Sequence, residues 1–428
     1  MLFGVFLGVS LLKFGNPAIF NHFFTWPTNG FEWVFNSWPL QAGYWILGIT
    51  AFAGLFAMQL KSRVPGWVVA MPSVWLLWQF ISATRTVDPE LTRPTLVYFA
   101  ACVVCFYLGL FCLNDNRLHR GLWFPLVLAF AWVISTGIQQ HFGGLEETRR
   151  YFFAYIYPKL DSVPPEYMKK MSSNRIFSTL FYPNTLAGAL LLLLPAISAA
   201  LWRLSVRLTN PARWFLIGLF GLGGLGCLYW SGSKGGWLLA LLMGLVTLLH
   251  LSFSKRIKMA VVAVFLLAGV TGFIWKYAGF FEKGATSVHA RFDYWRAALQ
   301  TTVANPVLGT GPATFGVSYK RIKKPESEMA RLAHNDYLEQ ASDSGAVGFV
   351  SYLAFVVAVL WFGYAAPKGS ADWLRFCVWL GLLGWALQGL FEFGLYVPAI
   401  GWTAFALSGW LLGSTTKRID NHPKAPLG

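Results

Sequence analysis

Charge is what this 428-residue sequence has least of. Asp, Glu, Lys and Arg make up 12% of it, while 56% is hydrophobic and 17% aromatic, at a mean hydropathy of +0.52. A soluble domain carries roughly a quarter charged residues, so the balance argues against a water-soluble globular protein, and against disorder still more. Cysteine is also scarce. Cys102, Cys105, Cys112, Cys227 and Cys377 all sit inside apolar runs. Cys102 and Cys105 have CxxC spacing but no second pair and no polar setting, so they read as buried thiols, with neither a disulfide nor a zinc site. The sequence has no HExxH and no GxSxG, and the acidic pair Asp88-Pro89-Glu90 has no histidine beside it. Gly309-Thr310-Gly311-Pro312 is too short for a nucleotide loop and reads as a turn. No metal ligands and no cofactor are expected. Met1 to Leu12 lacks a basic n-region and a small-residue cleavage site, which favours a first membrane helix over a removed signal peptide.

What is present is long apolar runs. Twelve of them lie near 1–14, 40–60, 66–83, 95–113, 121–140, 183–202, 214–230, 235–253, 259–276, 346–364, 375–392 and 397–413. They predict an all-α polytopic membrane protein, a single transmembrane domain over 1–428 with about 12 transmembrane helices. With the N-terminus inside, the inner segments hold 15 Lys/Arg and only Asp115, Asp372 and Asp420 as acids. That asymmetry places both termini in the cytoplasm and assigns most of the net charge of +16 to topology, without a nucleic-acid partner. Two outward loops stand out by length, 141–182 and 277–345. Loops beyond about 15 residues are uncommon unless they fold or work. In the second, Ser287 to Ala304 and Ser327 to Ser342 have helical character and predict a small helical cap carrying the chemistry.

Four outer segments carry polar groups suited to catalysis. In ARLAHNDYLEQASDSGAVGF (330–349), a helical register puts His334 on a face with Tyr337 and Leu338, and Asp336, Glu339 and Asp343 on another. An imidazole accepts a proton near neutral pH and suits a general base, although the spacing fits a surface histidine better. In VHARFDYWRAALQ (288–300), Arg291 shares a side with Tyr294 and Trp295, and its planar fork suits a diphosphate or, equally, a headgroup. SGSKGG (231–236) puts Lys234 in a tight turn, facing a wet cavity or snorkelling. SSNRIFSTLFYPNTLAG (172–188) brings Arg175 and Asn184 to the membrane surface, where Arg175 is a phosphate contact or an interfacial anchor.

Taken in order, NRIFSTLFYPNTLAG, SGSKGGWL, RFDYWRAAL…NPVLGTGPATF and HNDYLEQASDSGAVGF resemble the O-antigen ligase and polymerase superfamily of bacterial membrane glycosyltransferases. The resemblance covers roughly 172–350. It implies an enzyme of the bacterial inner membrane with a periplasmic active site, moving a glycan from an undecaprenyl-diphosphate carrier to an acceptor hydroxyl. For a ligase the acceptor is a lipid A-core sugar. It also implies inversion at the anomeric centre and no required metal. The family histidine falls on His334 and the family arginine on Arg291, as catalytic residues. Lys234 stands where the family often has arginine, keeping the charge without the bidentate fork. Arg175, Tyr294, Asn335 and Tyr337 complete the expected diphosphate and glycan contacts. A repeat-unit polymerase and a protein O-oligosaccharyltransferase share the donor chemistry. A transporter is disfavoured, because most ionisable residues sit at helix ends, apart from a few such as His250 and Glu392.

Overall fold

A computed structural model describes residues 1–60, 64–113, 119–159, 168, 172–282, 286–364 and 370–414. The basic segments at 61–63 and 114–118, part of that at 366–375 and the tail after Ser414 lie outside the described residues, as does part of the 141–182 loop. No β-strand occurs among the described residues. The helices are α1 (Leu2–Lys13), α2 (Gly30–Phe35), α3 (Leu40–Leu55), α4 (Gly66–Ala83), α5 (Pro89–Cys112), α6 (His119–Gln139) and α7 (Leu145–Tyr151). They continue with α8 (Pro183–Leu204), α9 (Asn210–Trp230), α10 (Lys234–His250), α11 (Lys255–Glu282), α12 (Thr286–Ala304) and α13 (Phe315–Ile322). The last three are α14 (Asp336–Gly363), α15 (Ser370–Gln388) and α16 (Pro398–Gly413).

Each of the twelve apolar runs coincides with a helix. Among the described residues seven helices are long and apolar enough to cross a bilayer, α6 running on to Tyr155, and α1, α3 and α10 are shorter apolar helices. The protein is therefore multi-pass, with seven spans meeting the length and hydropathy required where about twelve were expected. Helix starts follow local chemistry. Pro183 and Pro398 occupy first-turn positions, where the missing N–H has no partner to lose. Asp88 caps α5 by accepting from the amides of Glu90 and Leu91.

The centre is α16, buried from Pro398 through Leu412 and packed on α5. Gly109 and Gly409 allow that approach, since a methyl group on either would strike the backbone carbonyl of Ala406 or Phe106. Small residues at the contact are how helices pack closely in lipid, where no hydrophobic drive separates helix from solvent. Around this pair α1 packs on α6, α8 on α15 and α4 on α14. By contrast, α11 is largely exposed and packs mainly against α10.

Residues 286–335 form a unit with its own small core of Tyr294, Ala298, Phe315, Tyr319, Ala330 and Ala333. The first expected cap helix is α12, within one residue of its predicted start. The second differs. Residues 323–335 are irregular, and α14 starts at Asp336 and continues into the membrane segment, bending at Gly345. His334 has a left-handed backbone, φ +52°, and Asn335 caps α14, so neither belongs to the helix. The helical face proposed for His334, Tyr337 and Leu338 does not exist for that reason. Asp336, Glu339 and Asp343, expected on a second face of that helix, are all buried.

Candidate active site

The site is built at the ends of α8, α10, α12 and α14, around a residue from the turn after α15. Glu392 is that residue, only 8% exposed. Its Oε1 forms an ion pair with Arg291 Nη2 and accepts from Asn184 Nδ2 at 2.6 Å, while its Oε2 faces His334 Nδ1 at 3.3 Å. Arg291 also donates from Nε to the Phe391 carbonyl at 3.0 Å. Burial pushes the Glu392 carboxyl up. The Arg291 charge, with the charge and hydrogen bond of His334, outweighs that and holds it down at about 2. Glu392 is ionised at any physiological pH.

Arg175 reaches the same place from the other long loop. It donates from Nε to the Ser231 carbonyl at 2.6 Å and from Nη2 to Asn184 Oδ1 at 2.7 Å, and Asn184 passes the contact on to Glu392. Its segment is fixed by Gln140, whose Oε1 accepts from the amides of Phe177 and Ser178 at 3.0 and 2.7 Å. Ser178 and Phe181 both hold left-handed backbones there, φ +56° and +57°. Lys234 begins α10 next to the Ser233 cap and lies in electrostatic contact with Arg175 and Arg291. Lys276, at the end of the expected 259–276 span, lies within electrostatic reach of Arg175 and Lys234, its ammonium donating to the Tyr229 carbonyl. Four cations thus lie close enough to feel one another, with Arg291 alone paired to the Glu392 carboxylate, an arrangement suited to an anion with more than one charge.

His334 is held from both sides. The preceding amide of Ala333 donates to Glu339 Oε2. After it, Asn335 Oδ1 accepts from the amides of Tyr337 and Leu338 at 3.0 Å each, and its Nδ2 donates to Leu390 O at 2.8 Å. Asp336 accepts from the Leu395 amide at 3.0 Å and donates its own amide to Gly389 O at 2.7 Å. Tyr337 donates from its hydroxyl to Ala386 O at 2.9 Å. The HNDYLE segment therefore docks onto the 386–395 turn that carries Glu392, and its buried residues set the geometry between His334 and Glu392. A non-glycine residue in the left-handed region costs roughly 1–2 kcal/mol, which these bonds offset. The imidazole stacks on Tyr294 at 5.7 Å and meets the Phe393 edge at 4.7 Å, leaving its side chain 28% exposed.

The glycine-rich turn is clamped to α14 where that helix bends. At Gly345, φ +70°, a methyl group would collide with the Val307 carbonyl. The break frees carbonyls that the turn uses: Thr310 donates its amide to Ser342 O at 3.1 Å and Gly311 to Asp343 O at 2.8 Å. Asp343 Oδ2 accepts from the Ala313 amide at 2.7 Å. SDSG and GTGP thus pack as one unit.

Among the sequence-derived candidates, the structure brings Arg175, Lys234, Arg291 and His334 to one locus, with Tyr294 against the histidine. Asn335 and Tyr337 instead spend their side chains on backbone groups. Glu392 and Lys276 were missed as site residues. The signal for Glu392 was available, because an ionisable residue in an apolar run is a functional candidate by default. Among the described residues no three His, Cys, Asp or Glu side chains gather as a metal site would require.

Residues 219–353 match a family model described as O-antigen ligase, and the match contains Lys234, Arg291 and His334. Arg175, Asn184 and Glu392 lie outside it and are joined to it by the bonds above. An uncharacterized protein of Haemophilus influenzae is 26% identical over 156 residues, 31% of this chain. The match spans 39% of that relative's length.

Proposed function

From the match of residues 219–353 to the O-antigen ligase family model, we propose that the chain is a membrane glycosyltransferase that transfers a glycan from an undecaprenyl-diphosphate carrier to a hydroxyl of a lipid A-core sugar. The reaction takes place at the periplasmic face of the bacterial inner membrane. The observation that carries this is Glu392, which joins the cation cluster to the histidine through one carboxylate.

The acceptor oxygen attacks the anomeric carbon, and the bond from that carbon to the diphosphate oxygen breaks with its electron pair on the leaving group. Arg291 and Lys234, with Arg175 and Lys276 behind them, neutralise the charge that grows there. His334 gives its Nδ1–H to Glu392 Oε2, which leaves Nε2 as the base that takes the acceptor proton. Glu392 orients the ring and stabilises the imidazolium that forms. Attack opposite the leaving diphosphate inverts the anomeric centre. Tyr294 and Phe393 hold the ring in place, while Asn335 and Tyr337 position its backbone.

The test is reconstitution of the purified protein with undecaprenyl-diphosphate glycan and core-lipid A. A product carrying the inverted linkage on the core sugar is expected. Glycan joined only to a second carrier-linked unit would reassign the protein as a polymerase.

A further inference from the structure

The mechanism leaves Asn184 unused, although both halves of the site meet on it. Its amide serves groups of opposite charge. Oδ1 accepts from Arg175 Nη2 at 2.7 Å, and Nδ2 donates to Glu392 Oε1 at 2.6 Å. Chemistry fixes that orientation, since a flipped amide would aim its hydrogens at the guanidinium and its oxygen at the carboxylate. The main chain on either side is held as well. Asn184 lies in the first turn of α8, and its carbonyl accepts from Gln388 Nε2 at 3.0 Å. Gln388 is only 2% exposed, and its own carbonyl accepts the Glu392 amide at 3.0 Å. One buried residue thus anchors both Asn184 and Glu392. Gly188 makes room for it, because a methyl group there would strike Gln388 Oε1.

The two oxygens of Glu392 have different duties. Oε1 is met by Arg291 and Asn184, while Oε2 faces His334 Nδ1 at 3.3 Å. A hydrogen bond given to one carboxylate oxygen draws charge from the other, and so weakens the hold on an imidazolium beside it. Arg175 polarises the Asn184 amide from its far end and strengthens that bond. Neither charged neighbour needs Asn184 to keep its place. Arg175 also donates from Nε to the Ser231 carbonyl at 2.6 Å, and Arg291 from Nε to the Phe391 carbonyl at 3.0 Å.

We propose that Asn184 is a positioning residue that carries the charge of Arg175 to Glu392 and thereby sets how strongly His334 holds a proton. Besides Arg175, the charged and titratable groups around the His334–Glu392 pair are Arg291 and Tyr294 on α12, Asp336 on α14 and Lys234 on α10. Replacing Asn184 alters none of them. The consequence for rate rests on the function proposed above, which makes His334 the base. The proton affinity itself is readable without any reaction.

The experiment uses the full-length protein in nanodiscs with ring-labelled histidine. NMR follows the His334 ring, assigned among the seven histidines by its loss in His334→Gln. Wild type, Asn184→Leu, Asn184→Ala, Glu392→Gln and the double variant Glu392→Gln/Asn184→Leu are titrated. Asn184→Leu keeps the bulk, excludes water and withdraws the donor, so the His334 midpoint should rise by about 0.5–1 in pH. Asn184→Ala should move it the same way by less, because water can reach Oε1. In the Glu392→Gln background, Asn184→Leu should move it by under about 0.3. With undecaprenyl-diphosphate glycan and core-lipid A, the pH of half-maximal kcat should rise in parallel in Asn184→Leu. A midpoint unmoved or lowered in both single variants would overturn the proposal, as would an equal rise with and without the Glu392 carboxylate. A merely structural Asn184 would lower kcat equally at every pH, and that result too would overturn it. Failure of the proposed function looks different: the His334 titration would depend on Asn184 as expected, yet wild type would transfer no glycan to the core sugar.

Discussion

Replacing Glu392 by glutamine keeps the size and removes the charge that joins Arg291 to His334. The carboxyl, held at about 2 against an ordinary 4.5, is favoured in its charged form by roughly 3 kcal/mol. Breaking a buried pair costs about 3–5 kcal/mol; here Arg291 and His334 are 18% and 28% exposed, so about 2–3 kcal/mol of stability should be lost. The same pair sets the pH dependence. A carboxyl depressed in the folded state stabilises above its unfolded value and loses that contribution as pH falls. Wild type should therefore lose stability between about pH 4.5 and 2, beyond any loss in Glu392→Gln over that window. Chemistry should suffer more than binding. The imidazole loses the acceptor that fixes its tautomer, an effect of roughly 10²–10⁴ in rate where a base depends on an orienting carboxylate. The donor diphosphate loses a repelling charge, so its affinity should hold or rise. Donor binding, transfer and thermal unfolding measured on one preparation read all three. Transfer by Glu392→Gln within about threefold of wild type, or donor binding lost with the fold intact, would refute the assignment.

Other outcomes follow from the same geometry. Arg291→Lys keeps the charge but loses the fork that meets both Glu392 and the Phe391 carbonyl, and transfer should fall by roughly 10²–10³; wild-type kcat would contradict this. Because the proposed leaving group is met by four cations, transfer should persist in EDTA, and loss there restored by Mg²⁺ or Mn²⁺ would count against it. Gly345→Ala puts a methyl on the Val307 carbonyl at positive φ and should cost roughly 2–4 kcal/mol, loosening the 309–313 turn from α14. Equal unfolding of variant and wild type, with equal proteolysis of that turn, would remove the clamp.

The membrane architecture was legible because apolar runs are a local signal: each of the twelve falls on a helix. Arg175, Lys234, Arg291 and His334 were legible as costly or proton-active groups on segments expected to face outward. Periodicity misled at 327–342, because it cannot sense a cap. Asn335 turns its amide to the backbone, His334 takes a left-handed conformation, and the helix starts only after both. It also gave no sign that Asp336, Glu339 and Asp343 are buried, each accepting a backbone amide in the interior. Glu392 lies 58 residues from His334, and contacts at that separation leave no trace in local pattern. Asn335 and Tyr337 were read as ligand contacts because polar and aromatic groups beside a catalytic candidate suit substrate. The docking of α14 onto the 386–395 turn uses them instead.

The central claim is that one residue takes the acceptor proton while the cation cluster holds the donor. The direct measurement is donor binding and glycan transfer by purified His334→Ala, side by side with wild type. The account predicts undecaprenyl-diphosphate-glycan binding through Arg291 and Lys234 near the wild-type level, with transfer lowered by roughly 10²–10⁴. Transfer near the wild-type rate would contradict it, and loss of donor binding in a folded protein would move His334 into the diphosphate site.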